Sequence, residues 1–391
     1  MLNLNHIQAV QYVIRKRPQT PKHIRNNMSA DAVSTYKQDQ EAEFKAIVST
    51  KYHGVDCISE QLENVKIVGI SDEWFAEASN LTKSKAPIQD KTKFVFSGAW
   101  YDGWETRRHN ENEYDYVIFK IGVEACKIIG CEVDTAFFNG NQAPFVGVDA
   151  LYHDDAEEAN SISNKITNED ERWESVITKT ECGPSQKQFF LRNEGLTTKH
   201  FNYIKLKMYP DGGIARFRLY GKVVPGEHTF AESNVSAGKG VDFAFVGHGG
   251  VALKCSDQHF GSKDNLLLPG HGIDMGDGWE TARSRVEGHV DWTIIKLCKT
   301  LKHLNEIVVD TSFFRGNFPQ YVKVLGINEI SDDKVVSWAE DDSQWTELVG
   351  KSKTGPDKEH FFEFNKDIEL THVKLVIIPD GGVKRVRVFG Y

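Results

Sequence analysis

Two glutamates and two arginines stand in the same setting at two places in the chain. Glu105 follows Trp104 and precedes Arg108 by three residues; Glu280 follows Trp279 and precedes Arg283 by three. A carboxyl against an apolar ring is pushed toward neutrality, which suits a general acid or base. The planar guanidinium fork matches both oxygens of a carboxylate. Each setting therefore offers proton transfer beside anion capture. Glu105 and Glu280 are the leading acid/base candidates, and Arg108 and Arg283 the first anchor candidates. The alternative is an exposed loop carboxylate paired with its neighbouring arginine.

Arg216 and Arg385 form a second arginine set, each placed three residues after a glycine pair. They read equally as anchors or as outward-facing members of an Arg-x-Arg strand. Asn141 and Asn317 follow a glycine in a loop, where an amide can bind a ligand or make a turn. Trp104 and Trp279 either wall a pocket or pack in a core. Asp102, Asp277, Asp211 and Asp380 sit beside glycines and read as turn formers. His109, His259, His271 and His289 lie near these segments without a counterpart in the other setting. Of these, His271, in His271-Gly272-Ile273-Asp274, is the most site-like and the third catalytic candidate. No pair has firm ligand spacing, so no metal and no other cofactor is expected.

The recurrence extends to the elements that must hold these residues. Asp134-Thr135-Ala136-Phe137-Phe138-Asn139-Gly140-Asn141 returns as Asp310-Thr311-Ser312-Phe313-Phe314-Arg315-Gly316-Asn317. Tyr209-Pro210-Asp211-Gly212-Gly213 returns as Ile378-Pro379-Asp380-Gly381-Gly382. The order is the same throughout, so the chain is two copies of one domain. Residues 1–43 read as a basic, disordered extension, 44–224 as the first repeat, 225–240 as a linker and 241–391 as the second repeat.

Strand signals dominate both copies. Val117–Ile121, Ile128–Val133, Ile204–Met208 and Arg216–Tyr220 are short and β-branched or alternating. In the second copy, strands are expected at Trp292–Leu297, Ile307–Asp310, Val322–Gly326, Val373–Ile378 and Lys384–Phe389. Pro210-Asp211-Gly212-Gly213 joins two alternating strands and predicts a hairpin. Helical periodicity is confined to Asp39–Ser49. The acidic stretch Asp332, Asp333, Glu340, Asp341, Asp342 and its counterpart Asp154–Glu171 read as solvated loops. Many short strands spaced by turns predict an all-β fold, a tandem duplicated jelly-roll β-sandwich.

A chain of 391 residues with net charge −9 argues against nucleic acid and anionic membranes as partners. The six cysteines lack CxxC spacing and do not match between copies, so reduced thiols in a cytoplasmic protein are expected. The acid-free, basic amino terminus leaves an organellar transit peptide as the alternative. A homo-oligomer is expected.

The segments GAWYDGWETRRHN, DTAFFNGNQAP, KMYPDGGIARFRLYG, SDQHFGSKDNLLLPG, GDGWETARSR, DTSFFRGNFPQ, GKSKTGPDKEH and IIPDGGVKRVRVFGY resemble fungal-type allantoicases over about residues 41–391. The resemblance implies discoidin- and galactose-binding-like jelly rolls. It also implies a hydrolase that cleaves a C–N bond of allantoate, giving ureidoglycolate and urea in purine breakdown through allantoin. Such a substrate carries one carboxylate and two ureido arms. An arginine would hold the carboxylate, Asn141 or Asn317 would orient an arm, and a carboxyl would move the proton. The alternative from another class is a non-catalytic tandem module that binds carbohydrate or another ligand.

Overall fold

The computed structural model describes residues 32–154, 166–230, 238 and 240–391. Residues 1–31 of the expected extension, most of the carboxy-terminal half of the expected linker (231–237 and 239) and 155–165 of the first acidic stretch lie outside the described residues.

The described chain opens on β1 (Val33–Lys37), followed by α1 (Glu41–Ala46). This corrects the reading of 32–43 as extension: the segment is built into the first sandwich. The reason is strand pairing and apolar packing: β1 pairs with Lys187–Arg192, and Tyr36 packs with its ring centroid 5.8 Å from that of the buried Phe44. The first copy continues through β2 (Val55–Asp56), β3 (Lys66–Ile70), β4 (Phe94–Val95), β5 (Gly98–Ala99), β6 (Trp104–Glu105) and β7 (Asp115–Lys120). After these come β8 (Ala125–Asp134), β9 (Phe145–Leu151), β10 (Glu174–Glu181), β11 (Lys187–Arg192), β12 (Tyr203–Tyr209), β13 (Gly213–Ile214) and β14 (Arg216–Val224). Two five-stranded sheets result, ordered β1-β11-β8-β14-β2 and β10-β9-β12-β7-β3, with β6 and β13 as a short ribbon.

The second copy runs β15 (Val241–Asp242), β16 (Val251–Cys255), β17 (Trp279–Glu280), β18 (Asp291–Asp310), β19 (Tyr321–Ile327), α2 (Asp332–Ser337), β20 (Thr346–Lys353), β21 (Glu359–Ile378), β22 (Gly382–Val383) and β23 (Arg385–Gly390). Here the expected separate strands Trp292–Leu297 and Ile307–Asp310 are one. β18 and β21 are 20 residues each and lie side by side in one seven-stranded sheet. Their pairing resumes after a shift in register at Leu301–Leu370 and His303–Asp367. In the first copy the same path is broken into β7 and β8, and into β11 and β12. The fold is all-β, a tandem jelly-roll sandwich, as the strand pattern indicated.

Two local expectations fail. The Pro210–Gly213 turn does not make a hairpin: β12 pairs with β7 and β9, whereas β14 pairs with β8 and β2. The turn carries the chain from one sheet to the other. It needs glycine at Gly212, where φ is +145° and a Cβ would lie 2.7 Å from the Gln142 carbonyl oxygen. The second acidic stretch is not a solvated loop. Ser331 caps α2, Val335 is buried, and the carboxylates answer cations. Asp332 meets Lys296 at 2.7 Å and His372 at 3.0 Å, and Asp342 meets the buried Lys374 at 2.8 Å.

The two sandwiches share one apolar core cluster, in which Val223 of the first stands with Val241 and Phe243 at the start of the second. Ionic ties cross the junction at His53–Asp332, 2.5 Å, and Lys85–Asp274, 3.4 Å. A cavity of about 750 Å³ lies between them, bordered by Lys45, Glu132, Arg218, Val246 and Leu267.

Candidate active site

Strand alternation decides where the signature residues point. Trp104 on β6 is fully buried, and its indole N–H donates to the Asp72 carbonyl at 2.8 Å. Trp279 is equally buried and donates to the Asp257 carbonyl at 2.8 Å. Of the two readings, pocket wall and core packing, the structure shows core packing for both. The next residue of each strand faces the other way, toward the loop that carries the asparagine.

In the first repeat, Asn141 Nδ2 donates to Glu105 Oε1 at 2.9 Å, and Arg108 Nη2 lies 3.8 Å from the same oxygen. The Pro-Asp-Gly-Gly turn locks this segment. Thr106 N donates to the Gly212 carbonyl at 3.0 Å, and Gly212 N donates back to Thr106 Oγ1 at 3.3 Å. That lock brings Asp211 Oδ1 to 3.0 Å from Arg108 Nη1. Arg107 is likewise matched by Asp72 at 3.1 Å. Burial pushes the Glu105 carboxyl up, against the downward pull of the Asn141 bond and the Arg108 charge.

The second repeat keeps the lock, with Thr281 N to the Gly381 carbonyl at 3.1 Å and Gly381 N to Thr281 Oγ1 at 3.1 Å. It also keeps the asparagine, since Asn317 Nδ2 donates to Glu280 Oε1 at 2.5 Å. The cations differ. Asp380 accepts from the Ser284 backbone at 2.8 Å, and Asp257 from the Ala282 backbone at 2.6 Å. Arg283 is exposed and forms no ion pair among the described residues. Phe260, Met275 and Asn317 border Glu280: Phe260 N donates to its carbonyl at 3.1 Å, and Asn317 Nδ2 lies 3.8 Å from Met275 Sδ.

Arg216 and Arg385 are not brought to these clusters. Both are 3% exposed. Arg216 Nη2 meets Asp102 Oδ2 at 2.7 Å, and its Nη1 donates to the Asp102 carbonyl at 2.9 Å. Arg385 repeats the arrangement with Asp277, at 3.3 Å to the carboxylate and 2.6 Å to the carbonyl. Burial pushes the Arg385 guanidinium down to about 10. These arginines tie the signature loop to the sheet, so both sequence readings, anchor and outward-facing residue, are replaced. Asp102 and Asp277 are their counterions and not merely turn formers. The one trace in the sequence is that each Asp-Gly recurs with its arginine in both copies, which does not tell that the two touch.

His271 also falls outside the Glu280 cluster. Its Nδ1 lies 3.0 Å from Asp310 Oδ2, and its side chain is largely exposed. With Glu359 these two form the set among the described residues whose ligand atoms lie within 4.8 Å of one another, as a metal would need. Asp310 already accepts from Ser312 through its other oxygen at 2.6 Å, and no catalytic step is assigned to the set.

Fold and site together define a duplicated β-sandwich protein with a carboxylate–amide pair in each half, joined in the first by Arg108. The family model described as the allantoicase repeat matches residues 55–224 and again 241–391. The chain is 58% identical to the allantoicase of Saccharomyces cerevisiae over 351 residues, covering 90% of this chain and 98% of that one. It is 50% identical to the allantoicase of Neurospora crassa over 336 residues, 86% and 90% of the two chains. A crystal structure of the Saccharomyces cerevisiae allantoicase matches with a TM-score of 0.78 at 53% identity, over 92% of this chain and 100% of that one. The chain belongs to the allantoicase family, and these matches give no support to a non-catalytic binding module.

Proposed function

We propose that allantoate is bound and cleaved at the second-repeat cluster, by Arg283, Glu280 and Asn317. The chain is a hydrolase of the allantoicase family, cleaving a C–N bond of allantoate to give ureidoglycolate and urea in purine catabolism. The observation that carries the choice of repeat is the state of the two arginines. Arg108 is already matched by Asp211, so an incoming carboxylate would have to displace a fixed one. Arg283 is exposed with no such partner among the described residues.

In this reading Arg283 takes the substrate carboxylate through its paired N–H groups. Glu280, oriented by Asn317, accepts a ureido N–H and holds the arm for departure. Asn317 keeps its carbonyl oxygen for a second ureido donor. The first-repeat cluster is a closed copy with its charges satisfied internally. The division into two repeats, the first ending at 224 and the second at 241–391, is proposed with it, supported by the family-model spans.

The test is kinetic. Arg283→Ala lowers kcat/KM for allantoate by about 10- to 100-fold, the size of a lost charge-assisted hydrogen-bond pair, and Arg108→Ala changes it little. The reverse ranking would move the reaction to the first repeat.

Two further proposals accompany this one. Cytoplasmic residence is supported by six free cysteines, four of them buried. Self-association is supported by the exposed apolar tip of the β4–β5 turn, where Phe94 is 70% and Phe96 is 95% exposed. No helix among the described residues is long and apolar enough to cross a membrane.

A further inference from the structure

The loop that follows Arg283 carries a histidine held by a buried carboxylate. His289 Nε2 lies 3.1 Å from Asp291 Oδ2, and Asp291 is 2% exposed. The other carboxylate oxygen is fixed as well: Ser256 Oγ donates to Asp291 Oδ1 at 2.7 Å, while accepting from Trp292 N at 2.9 Å. Asp291 therefore has one place and one orientation. An imidazole that donates Nε2–H to it turns Nδ1 outward as the free base, and the His289 side chain is 30% exposed.

The first repeat has the carboxylate without the histidine. Ser71 donates to Asp115 at 2.7 Å, as Ser256 does to Asp291. The residues leading into Asp115 are Asn112-Glu113-Tyr114, where the second copy has Gly288-His289-Val290. The histidine is thus an addition to the copy whose arginine is unengaged.

The loop 282–290 is pinned at three points, all by aspartates. Asp257 holds Ala282 N, Asp380 holds Ser284 N, and Asp291 holds His289. Its own backbone closes it, with His289 N donating to the Val286 carbonyl at 3.3 Å. Arg283 and His289 therefore stand on one constrained loop. The charged group that contacts His289 is Asp291 on β18; Arg283, Arg285 and Glu287 share its loop, and Asp257 and Asp380 hold that loop at Ala282 and Ser284.

We propose that His289 is the proton carrier of the second-repeat site and that Asp291 is its positioning residue; this rests on the reading that the second repeat is the reacting copy. Protonated His289 gives its proton to the leaving ureido nitrogen as the bond from that nitrogen to the central carbon breaks. The bonding pair leaves with the nitrogen, and urea departs. A water then forms the new C–O bond, and its proton goes to neutral His289. One C–N bond is lost, one C–O bond is made, one water is consumed, and the histidine is restored.

The experiment is a pH–rate profile of urea release from allantoate for the full chain, its His289→Gln, Asp291→Asn and Arg283→Ala variants. His289→Gln is expected to lower kcat by about 10²- to 10⁴-fold with KM little changed, and to remove one limb of the pH–rate profile. Asp291→Asn is expected to shift that limb and to lower kcat less. A His289→Gln enzyme with wild-type kcat and an intact limb overturns the inference; if Arg283→Ala is still impaired, the site reading survives it. If Arg283→Ala is fully active, the site reading falls and the inference with it. His289→Gln changes a partly exposed side chain, so it decides the matter even where Asp291→Asn does not fold.

Discussion

Arg108 Nη1 lies 3.0 Å from Asp211 Oδ1, and the second repeat does not reproduce this pair: Asp380, in the place of Asp211, receives a backbone N–H from Ser284 instead. One change of partner separates a guanidinium that is already matched from one that faces solvent. Asp211→Asn should release Arg108 while keeping the side-chain shape. Placed in the Arg283→Ala background, it is expected to lower KM for allantoate several-fold relative to Arg283→Ala alone, read from initial rates of urea release. No change in KM would mean that Arg108 cannot reach substrate even when freed.

Glu280→Gln removes the proposed acceptor of a ureido N–H but leaves a partner for Asn317. A loss of about 10²-fold or more in kcat is expected, against less than about threefold for Glu105→Gln. Equal losses would indicate two working sites, and the loss confined to Glu105→Gln would reverse the assignment.

How much of this was legible in the text depends on the range of the interaction involved. The duplication, the all-β class and most first-copy strands were readable, because alternation and turn chemistry are local. So was the meeting of Glu105, Arg108 and Asn141, since their motifs recur in the same order in both copies. The role of Arg216 was not readable: its partner Asp102 is 114 positions away, and no local rule tells a buried strand arginine from an exposed one. The Pro210–Gly213 turn misled because alternating strands around a glycine turn look alike whether the chain pairs back or crosses to the facing sheet. The acidic stretch misled because Asp332 and Asp342 answer cations on distant strands.

Asp102 and Arg216 test that correction. Asp102→Ala strands a buried guanidinium and is expected to cost about 3–5 kcal/mol in urea-induced unfolding. Arg216→Met, which leaves the less buried end of the network, is expected to cost less. An Asp102→Ala protein as stable as the wild type would mean that Arg216 has other counterions.

Asp332 links stability to pH. Burial alone would raise its carboxyl, but hydrogen bonds from His372, His53 and Lys296 overturn that and hold it well below the usual carboxylate range. A carboxyl depressed by folding contributes stability above its unfolded value of about 3.8, and that contribution is lost as pH falls. Asp332→Asn should therefore cost roughly 1–3 kcal/mol at pH 7, and the gap from wild type should begin to narrow only as pH falls below about 3.8. A constant gap across that range would show that the carboxylate charge is not what matters. Since His53 belongs to the first copy, the same variant should also loosen the junction, seen as faster proteolysis between the halves.

β18 begins at Asp291 and ends at Asp310; the first holds His289 and the second His271, on the segments that flank β17. It is a long clip, paired with β21 on both sides of a break in register between Lys296 and Leu301. In the first half the same path is interrupted at residues 121–124, between β7 and β8. Amides of Lys302 and His303, which both donate to the Tyr391 carbonyl, should exchange slowly with deuterium, and the uninterrupted strand makes one piece of what the first half builds from two.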